Sequence, residues 1–367
     1  MAKLILAINP GSTSTKIGLF REYEPVFMIN VEHDREELAK FPDLPSQKDF
    51  RLSHVLNALE EHGVKVTDLD GVVGRGGLMP VLETGGYVFN DVMKGWISAE
   101  KGGSHASNLG SLMADLVAGE AGCGAYIYDS VAAGRLPEIA AITGYPEIRR
   151  KSLSHVLNSR AQSIILAGKQ GKKFEDMNVI IAHLGGGISL SVYEKGILQD
   201  SVGDDNGPFS PERAGGAPLM DFVNVFYDSG LPKKDLKKKM RGAGGLMAHL
   251  GHTDFRKVED DAAAGDEKSA LLMAAMAYNI AKSIGSLATV VSGKVDAIII
   301  TGGLAKAKGF AKEIADRVSF IAPVEIMPGE YELEALAAGC LRIIKGEEKV
   351  RRLVDTTDDG FGISEFV

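Results

Sequence analysis

Residues 3–18, KLILAINPGSTSTKIG, and residues 178–192, NVIIAHLGGGISLSV, decide the fold. Each opens with an unbroken apolar run, Leu4 to Ile8 in one and Val179 to Ala182 in the other, then passes through a turn of Gly and hydroxyl residues into a second apolar stretch. Continuous Ile/Val/Leu runs suit strands buried on both faces, and a Gly-rich turn between two such runs predicts a hairpin. The hairpins Asn9–Gly18 and His183–Val192 lie about 170 residues apart, a weak internal repeat that predicts two related domains. VDAIIITGGL at 295–304 and the run Ala125–Tyr128 read as further strands. Helical spacing marks Asp49–His62, Asn108–Ala118, Leu153–Gly168, Asp266–Val291 and Gly309–Ser319. Strands alternating with helices predict an α/β protein whose helices flank mixed sheets.

A chain of 367 residues has room for about two domains. The expected division is 1–150 and 151–340, with 341–367 packing back on the first. Hydrophobic residues at 45% and charged residues at 25% exclude a disordered or collagen-like chain. The 41 Lys and Arg against 49 Asp and Glu give a net charge of −8, which argues against a nucleic-acid partner. Cys123 and Cys340 are the only cysteines and have no metal-ligand spacing, so a reducing cytoplasm fits. Leu4–Ile8 is too short for a signal-peptide core. Ala270–Val291 contains Asn279 and Lys282 and repeats apolar residues at Leu272, Met276, Ile280 and Ile284; it reads as a core helix, with no membrane partner. The basic stretch Pro232–Arg241 reads as a solvated face.

Neither GxxxxGK[ST] nor a complete GxGxxG before a helix occurs. Phosphate chemistry then falls to the hairpin turns, where Gly lets the backbone approach an anion and Ser and Thr hydroxyls donate hydrogen bonds. Together with the rest of the chain, these turns resemble the acetate and butyrate kinases. Asn9-Pro10-Gly11-Ser12-Thr13-Ser14-Thr15-Lys16 is similar to that family's first signature, and His183 to Leu190, extending to Gly196, to its second. Tyr128-Asp129-Ser130, Arg213-Ala214-Gly215, Thr301-Gly302-Gly303 and Glu334-Ala335-Leu336-Ala337-Ala338 follow the family's order, so the resemblance covers nearly the whole chain. Pro10, the run VVGRGGLM at 72–79 and a shorter chain lean toward butyrate and branched-chain carboxylic acid kinases.

The resemblance implies two related actin-like (ribonuclease H-like) domains, with ATP or ADP in the cleft between them and a homo-oligomer built of dimers. By that resemblance Gly185, Gly186, Gly187 and Ser189 hold the β- and γ-phosphates beside His183, and Gly302 and Gly303 pass next to the adenosine. Asn9, Ser12, Ser14 and Lys16 face the transferred phosphoryl group. Asp129 resembles the catalytic aspartate, acting through Mg²⁺, and Glu334 the second metal carboxylate, with Glu332 as its alternative. His155 matches the later of two family histidines; Arg149, Arg150 or Lys151 could stand in for the charge of the earlier one.

The implied reaction phosphorylates a short-chain carboxylate such as butyrate, isobutyrate or isovalerate. Such an acid is ionised at neutral pH and needs no general base, so positioning and charge neutralisation must do the catalysis. Planar, bidentate arginines suit that task. Arg75 is expected on the substrate carboxylate and Arg213 on the phosphoryl group in flight. Val73, Leu78 and Met79 either wall the acyl pocket or belong to the ordinary core. The alternatives are an acetate or propionate kinase, a sugar kinase on the same fold, in which Asp129 would be a base, and a nucleotide-binding regulator.

Overall fold

Leu4–Pro10 forms β1, every residue of it buried, and the chain returns antiparallel as β2 (Ser14–Arg21) and β3 (Glu24–Glu32). On the other side of β1 lie β4 (Gly71–Gly74) and then β6 (Gly124–Tyr128), both parallel to it, with β5 (Gly86–Val88) antiparallel to β6. The C-terminal strands β12 (Arg351–Thr356) and β13 (Gly362–Phe366) complete the order β13-β12-β5-β6-β4-β1-β2-β3. A second sheet has the order β11-β10-β7-β8-β9, built from β7 (Val179–Leu184), β8 (Ile188–Glu194), β9 (Ile197–Val202), β10 (Ala297–Gly302) and β11 (Val324–Pro328). This computed structural model describes residues 2–152, 154–203, 206–358 and 360–367; Leu153, where one helix was expected to begin, lies outside them.

The repeat foreseen from the two hairpins is present in the topology. β6-β4-β1-β2-β3 and β11-β10-β7-β8-β9 have the same order and the same directions: two parallel pairs, then two antiparallel ones. The observed helices Lys48–Glu61, Asn108–Ala121, Val156–Lys169, Glu267–Val290 and Lys308–Val318 match the expected ones to within a few residues. Local chemistry sets their ends. Asp266 caps Glu267–Val290 by accepting from the Ser269 amide at 2.8 Å, and Gly122, with φ 70°, stops Asn108–Ala121 in the left-handed conformation. Glu267–Val290 is, among the described residues, the one helix long and apolar enough to cross a membrane, yet its stripe of Leu272, Met276, Ile280 and Ile284 packs in the core against Ile180, Leu190 and Ile298. Each such side chain contributes about 1.5–3 kcal/mol on burial. Lys233–Met240 is a helix with no buried residue, as a solvated basic face requires.

The chain divides into two compact units, Met1–Arg135 with Tyr331–Val367 and Leu136–Glu330. The sequence placed these divisions at 150 and 340. The difference has packing causes that composition does not reveal. Leu136 and Ala141 pack with Phe174, Val179 and Ile181, and Arg150 forms a two-point ion pair with Asp200 of β9, at 2.8 and 3.2 Å. Helix Glu332–Ile344 rides whole on the first sheet, so closely that a Cβ on Gly71 would stand 2.5 Å from Ile344 Cδ1.

Candidate active site

Three parallel strands of the first unit deliver expected site residues to one edge of the sheet. Gly74 is in register with Ile8 on one side and Ile127 on the other, so Asn9 at the end of β1, Arg75 just past β4 and Asp129 just past β6 emerge at the same carboxyl ends. Such an edge is where ligands bind in sheets of this kind. The Arg75 amide donates to Ile8 O at 2.8 Å, which ties the turn to β1. Two glycines bring this turn close to helix Asn108–Ala121: a Cβ on Gly74 would stand 2.2 Å from Gly110 O, and one on Gly77 would stand 1.8 Å from Asn108 Oδ1. The Asn108 side chain accepts from the Leu78 amide at 2.8 Å, and the Trp96 indole donates to Leu78 O at 3.0 Å. Arg75 therefore leaves a rigid platform.

Helix Glu332–Ile344 completes this cluster in the first unit. Glu332 Oε2 accepts from Asn9 Nδ2 at 2.7 Å and from Lys16 Nζ at 3.3 Å, and its Oε1 is 3.8 Å from Arg75 Nη1. These contacts belong to Glu332, not to Glu334, which was the expected carboxylate. Residues two apart on a helix point about 200° apart, so the two side chains cannot share one face. Arg75 Nη1 is buried and has no hydrogen-bond partner among the described residues. His105, on the loop before helix Asn108–Ala121, was not anticipated; crowding by the protein, followed by the Arg75 charge, holds its imidazole below the ordinary pKa.

Asp129 is 1% exposed and takes φ 41°, unusual for a side chain with a Cβ. A paired contact fixes it there: its amide donates to Gly85 O at 3.1 Å, and its Oδ1 accepts from Gly85 N at 2.8 Å. Ser12 is exposed and Ser14 half-buried in the turn between β1 and β2, closed by Gly11 N to Ser14 O at 2.8 Å. Met79 belongs to the core of this unit and Val73 is wholly buried, which fits ordinary packing for both.

In the second unit, the turn Gly185–Gly187 follows β7 in the place that the Gly11–Thr13 turn takes after β1. Gly185 N donates to Gly187 O at 3.0 Å. The segment 210–213 is fastened to this turn: Ser210 Oγ and the Glu212 amide both donate to Gly186 O, at 2.7 and 3.1 Å, which brings Arg213 beside it. The Arg213 guanidinium donates to Glu212 Oε2 at 3.1 Å. Below the turn His155 and His183 stack with ring centroids 3.9 Å apart. Ser189 Oγ accepts from the His155 amide at 3.1 Å and lies 2.8 Å from His155 Nδ1. Asn158 Nδ2 donates to His183 Nδ1 at 3.0 Å, leaving Nε2 toward Glu330 Oε1 at 3.6 Å. Asn158 and Ser210 were missed in the sequence, because a helical Asn and a loop Ser carry no motif of their own. Of the three residues that could stand in for the charge of the earlier family histidine, Arg150 is paired with Asp200 and Arg149 with Glu138, the latter at 2.7 Å.

Gly302, with φ +90°, lets β10 pass so near β7 that a Cβ would stand 2.4 Å from Leu184 O. Gly303 then opens a recess of about 320 Å³ that runs from Gly186 past Thr253, Arg256 and Glu259 to Ala307. A second recess, of about 260 Å³ near Leu44, Ile97 and Leu112, includes none of the expected site residues.

The acetokinase family model matches residues 153–321. Butyrate kinase 1 of Clostridium acetobutylicum is 42% identical over 95% of this chain and 98% of its own. A probable butyrate kinase 2 of Caldanaerobacter subterraneus is also 42% identical, over 94% of this chain and 98% of its own. The crystal structure of Porphyromonas gingivalis acetate kinase superposes with a TM-score of 0.77 at 17% identity, covering 94% of this chain and all of that one. The ROK hexokinase of Thermus thermophilus gives 0.51 at 13% identity, covering 94% and 99%. At these identities the structures establish the fold, the actin-like architecture common to acetate and sugar kinases. With sequence relatives this similar over nearly its whole length, the chain belongs to the acetokinase family, among its butyrate kinases.

Proposed function

We propose that this protein transfers the γ-phosphoryl group of ATP to the carboxylate of butyrate or of a branched four- or five-carbon acid, reversibly and in the cytoplasm. The observation that carries the reading is the 42% identity to a butyrate kinase across 95% of the chain. Within the site it is supported by Arg75, a nearly buried guanidinium whose Nη1 lacks a hydrogen-bond partner among the described residues. A buried donor left unsatisfied is costly, and a carboxylate is an acceptor whose geometry matches a guanidinium.

A carboxylate oxygen attacks the γ-phosphorus, the bond from that phosphorus to the β–γ bridging oxygen breaks, and ADP leaves with the electron pair. No proton moves, because the acid is already ionised. The chain's task is to overcome repulsion between two anions. In this reading Arg75 orients the acyl carboxylate, while Asn9, Lys16 and the Ser12–Ser14 turn bind the transferred phosphoryl group. In the second unit Arg213, beside the glycine turn, is suited to neutralise phosphoryl charge. The Gly185–Gly187 turn, with Ser189 and the His155–His183 stack behind it, holds the nucleotide phosphates, and the recess beginning at Gly303 takes the adenosine. The assembly in this reading is a homo-oligomer built of dimers, supported by the exposed apolar residues Leu219, Met220 and Val223 on one helix.

Mg²⁺ in kinases takes one or two carboxylates together with the nucleotide phosphates. Among the described residues no three His, Cys, Asp or Glu side chains gather, so an all-protein cage is absent and the donors present fit the sparser arrangement. Asp129 would hold the ion, with Glu332 rather than Glu334 contributing through water. When bound, the metal supplies charge neutralisation on the phosphates.

A sugar kinase is the reading to exclude, since the hexokinase likeness concerns the fold alone. A sugar hydroxyl needs a base, whereas a carboxylate does not. ADP release with Mg-ATP should rise when butyrate is added and stay at background with hexoses. Stimulation by a hexose but by no carboxylic acid would reverse the assignment.

A further inference from the structure

Beneath the turn between β1 and β2 lies a guanidinium with no part in the chemistry above. Arg51, in the first turn of helix Lys48–Glu61, is completely buried. Its five N–H donors are all engaged. Nη1 donates to Gly11 O and Ser14 O, both at 2.9 Å, with Thr15 Oγ1 at 3.3 Å. Nη2 donates to Ser12 O at 2.9 Å and to Gln47 Oε1 at 3.0 Å, and Nε donates to the same Gln47 oxygen at 3.1 Å. None of these acceptors is a carboxylate. Thr15 Oγ1 continues the network to His33 Nε2 at 2.8 Å.

The acceptors define the geometry. Three backbone carbonyls of one short turn are drawn toward a single side chain. Peptide units are planar and trans, so the amides of Ser12 and Thr13, bonded to the carbonyls of Gly11 and Ser12, point away from Arg51. Successive amides turned to one side form an anion-binding concavity. Burying a full positive charge without a counter-ion is expensive, and a turn that needed only rigidity could be held by a neutral donor. A charge in that place lowers the energy of an anion on the far side of the turn.

We propose that Arg51 is a positioning residue for phosphoryl transfer: it pins the carbonyls of Gly11, Ser12 and Ser14 so that the Ser12 and Thr13 amides meet the phosphoryl group above a fixed positive charge. This rests on the assignment of that turn to the phosphoryl group.

Two variants test it. Arg51→Lys keeps the charge, but one ammonium nitrogen cannot occupy the places of both Nη1 and Nη2, which between them hold the three carbonyls. Gln47→Leu leaves the carbonyl bonds in place and removes the two that orient the guanidinium. Two quantities are read: kcat and KM for each substrate, and amide hydrogen exchange of residues 10–16 by mass spectrometry. Arg51→Lys, folded by circular dichroism, should lose on the order of 10- to 100-fold in kcat with KM for the carboxylate within about twofold, and residues 10–16 should exchange about tenfold faster. A folded Arg51→Lys with parental kcat overturns the proposal. If that variant does not fold, Gln47→Leu decides: a kcat about threefold lower with faster exchange supports the role, and parental values for both overturn it. Should the parent make no acyl phosphate from any acid, the assignment of the turn fails, while the exchange comparison still measures whether Arg51 pins it.

Discussion

Arg75 carries a buried Nη1 with no hydrogen-bond partner among the described residues, and its planar fork matches a carboxylate. Arg75→Met should leave the unfolding free energy within about 1 kcal/mol of the parent, since no hydrogen bond to Nη1 is lost, and should reduce kcat/KM for the carboxylate by about 100-fold or more. Denaturant titration and steady-state kinetics read the two halves separately. A second prediction contrasts neighbours: Glu332→Gln should cut turnover at least about tenfold and Glu334→Gln by less than about threefold, because only Glu332 reaches Asn9, Lys16 and Arg75. His33 supplies a pH dependence. Burial first, then the charges of Arg51 and His54, lower its pKa from 6.5 to about 4. The folded state thus keeps His33 neutral where the unfolded chain would protonate it, and stability is lost as pH falls from 6.5 toward about 4, at no more than about 1.4 kcal/mol per pH unit. His33→Gln should show a shallower slope in that window; an unchanged slope would mean that His33 does not contribute. Asn9, Lys16, Arg75 and Asp129 were all legible as residues. The choice between Glu332 and Glu334 was not, because it depends on where a helix begins and hence on which face each side chain takes.

At the scale of elements, strand ends and close glycines place the site. β1, β4 and β6 stop in register, and the turn after β4 is wedged against helix Asn108–Ala121 at Gly74 and Gly77. Gly74→Ala would push a methyl group into Gly110 backbone at 2.2 Å, which neither chain can yield without moving. It should cost about 2 kcal/mol or more by denaturant unfolding and lower carboxylate turnover through Arg75; a variant with parental stability would contradict the close approach. The long buried strands and the principal helices could be read from apolar runs and helical spacing. β5, β12 and β13 could not: the first has three residues, and the other two alternate buried with exposed positions too irregularly to mark a strand. The divisions between units lie ten to fifteen residues from 150 and 340, where the sequence put the first only to within about fifteen, for a related reason. Leu136, Ala141 and Arg150 join the second unit through packing and an ion pair, and no Pro- or Ser-rich linker announces the change.

For the whole molecule, two units of matching strand order account for the repeat of Gly-hydroxyl hairpins, one with a charged cluster at its strand ends and one with a glycine turn and recess. The chain carries a net charge of −8, so its overall field does not attract anionic substrates, and the proposed reading assigns that task to local cations such as Arg75 and Lys16. Fold and reaction class follow from the sequence because phosphate chemistry needs particular turns after particular strands. Acyl preference does not, because each added methylene is worth only about 0.8 kcal/mol and any apolar wall can provide it. In the proposed reading Arg75 and its neighbours receive the carboxylate of a four- or five-carbon acid. Acyl phosphates trapped with hydroxylamine, after incubation with Mg-ATP and each straight or branched acid of two to five carbons, report on this step. Hydroxamate formation should be greatest at four or five carbons and fall sharply in Arg75→Met. A maximum at acetate would make the enzyme an acetate kinase, and an Arg75→Met variant that matches the parent would remove Arg75 from the carboxylate site.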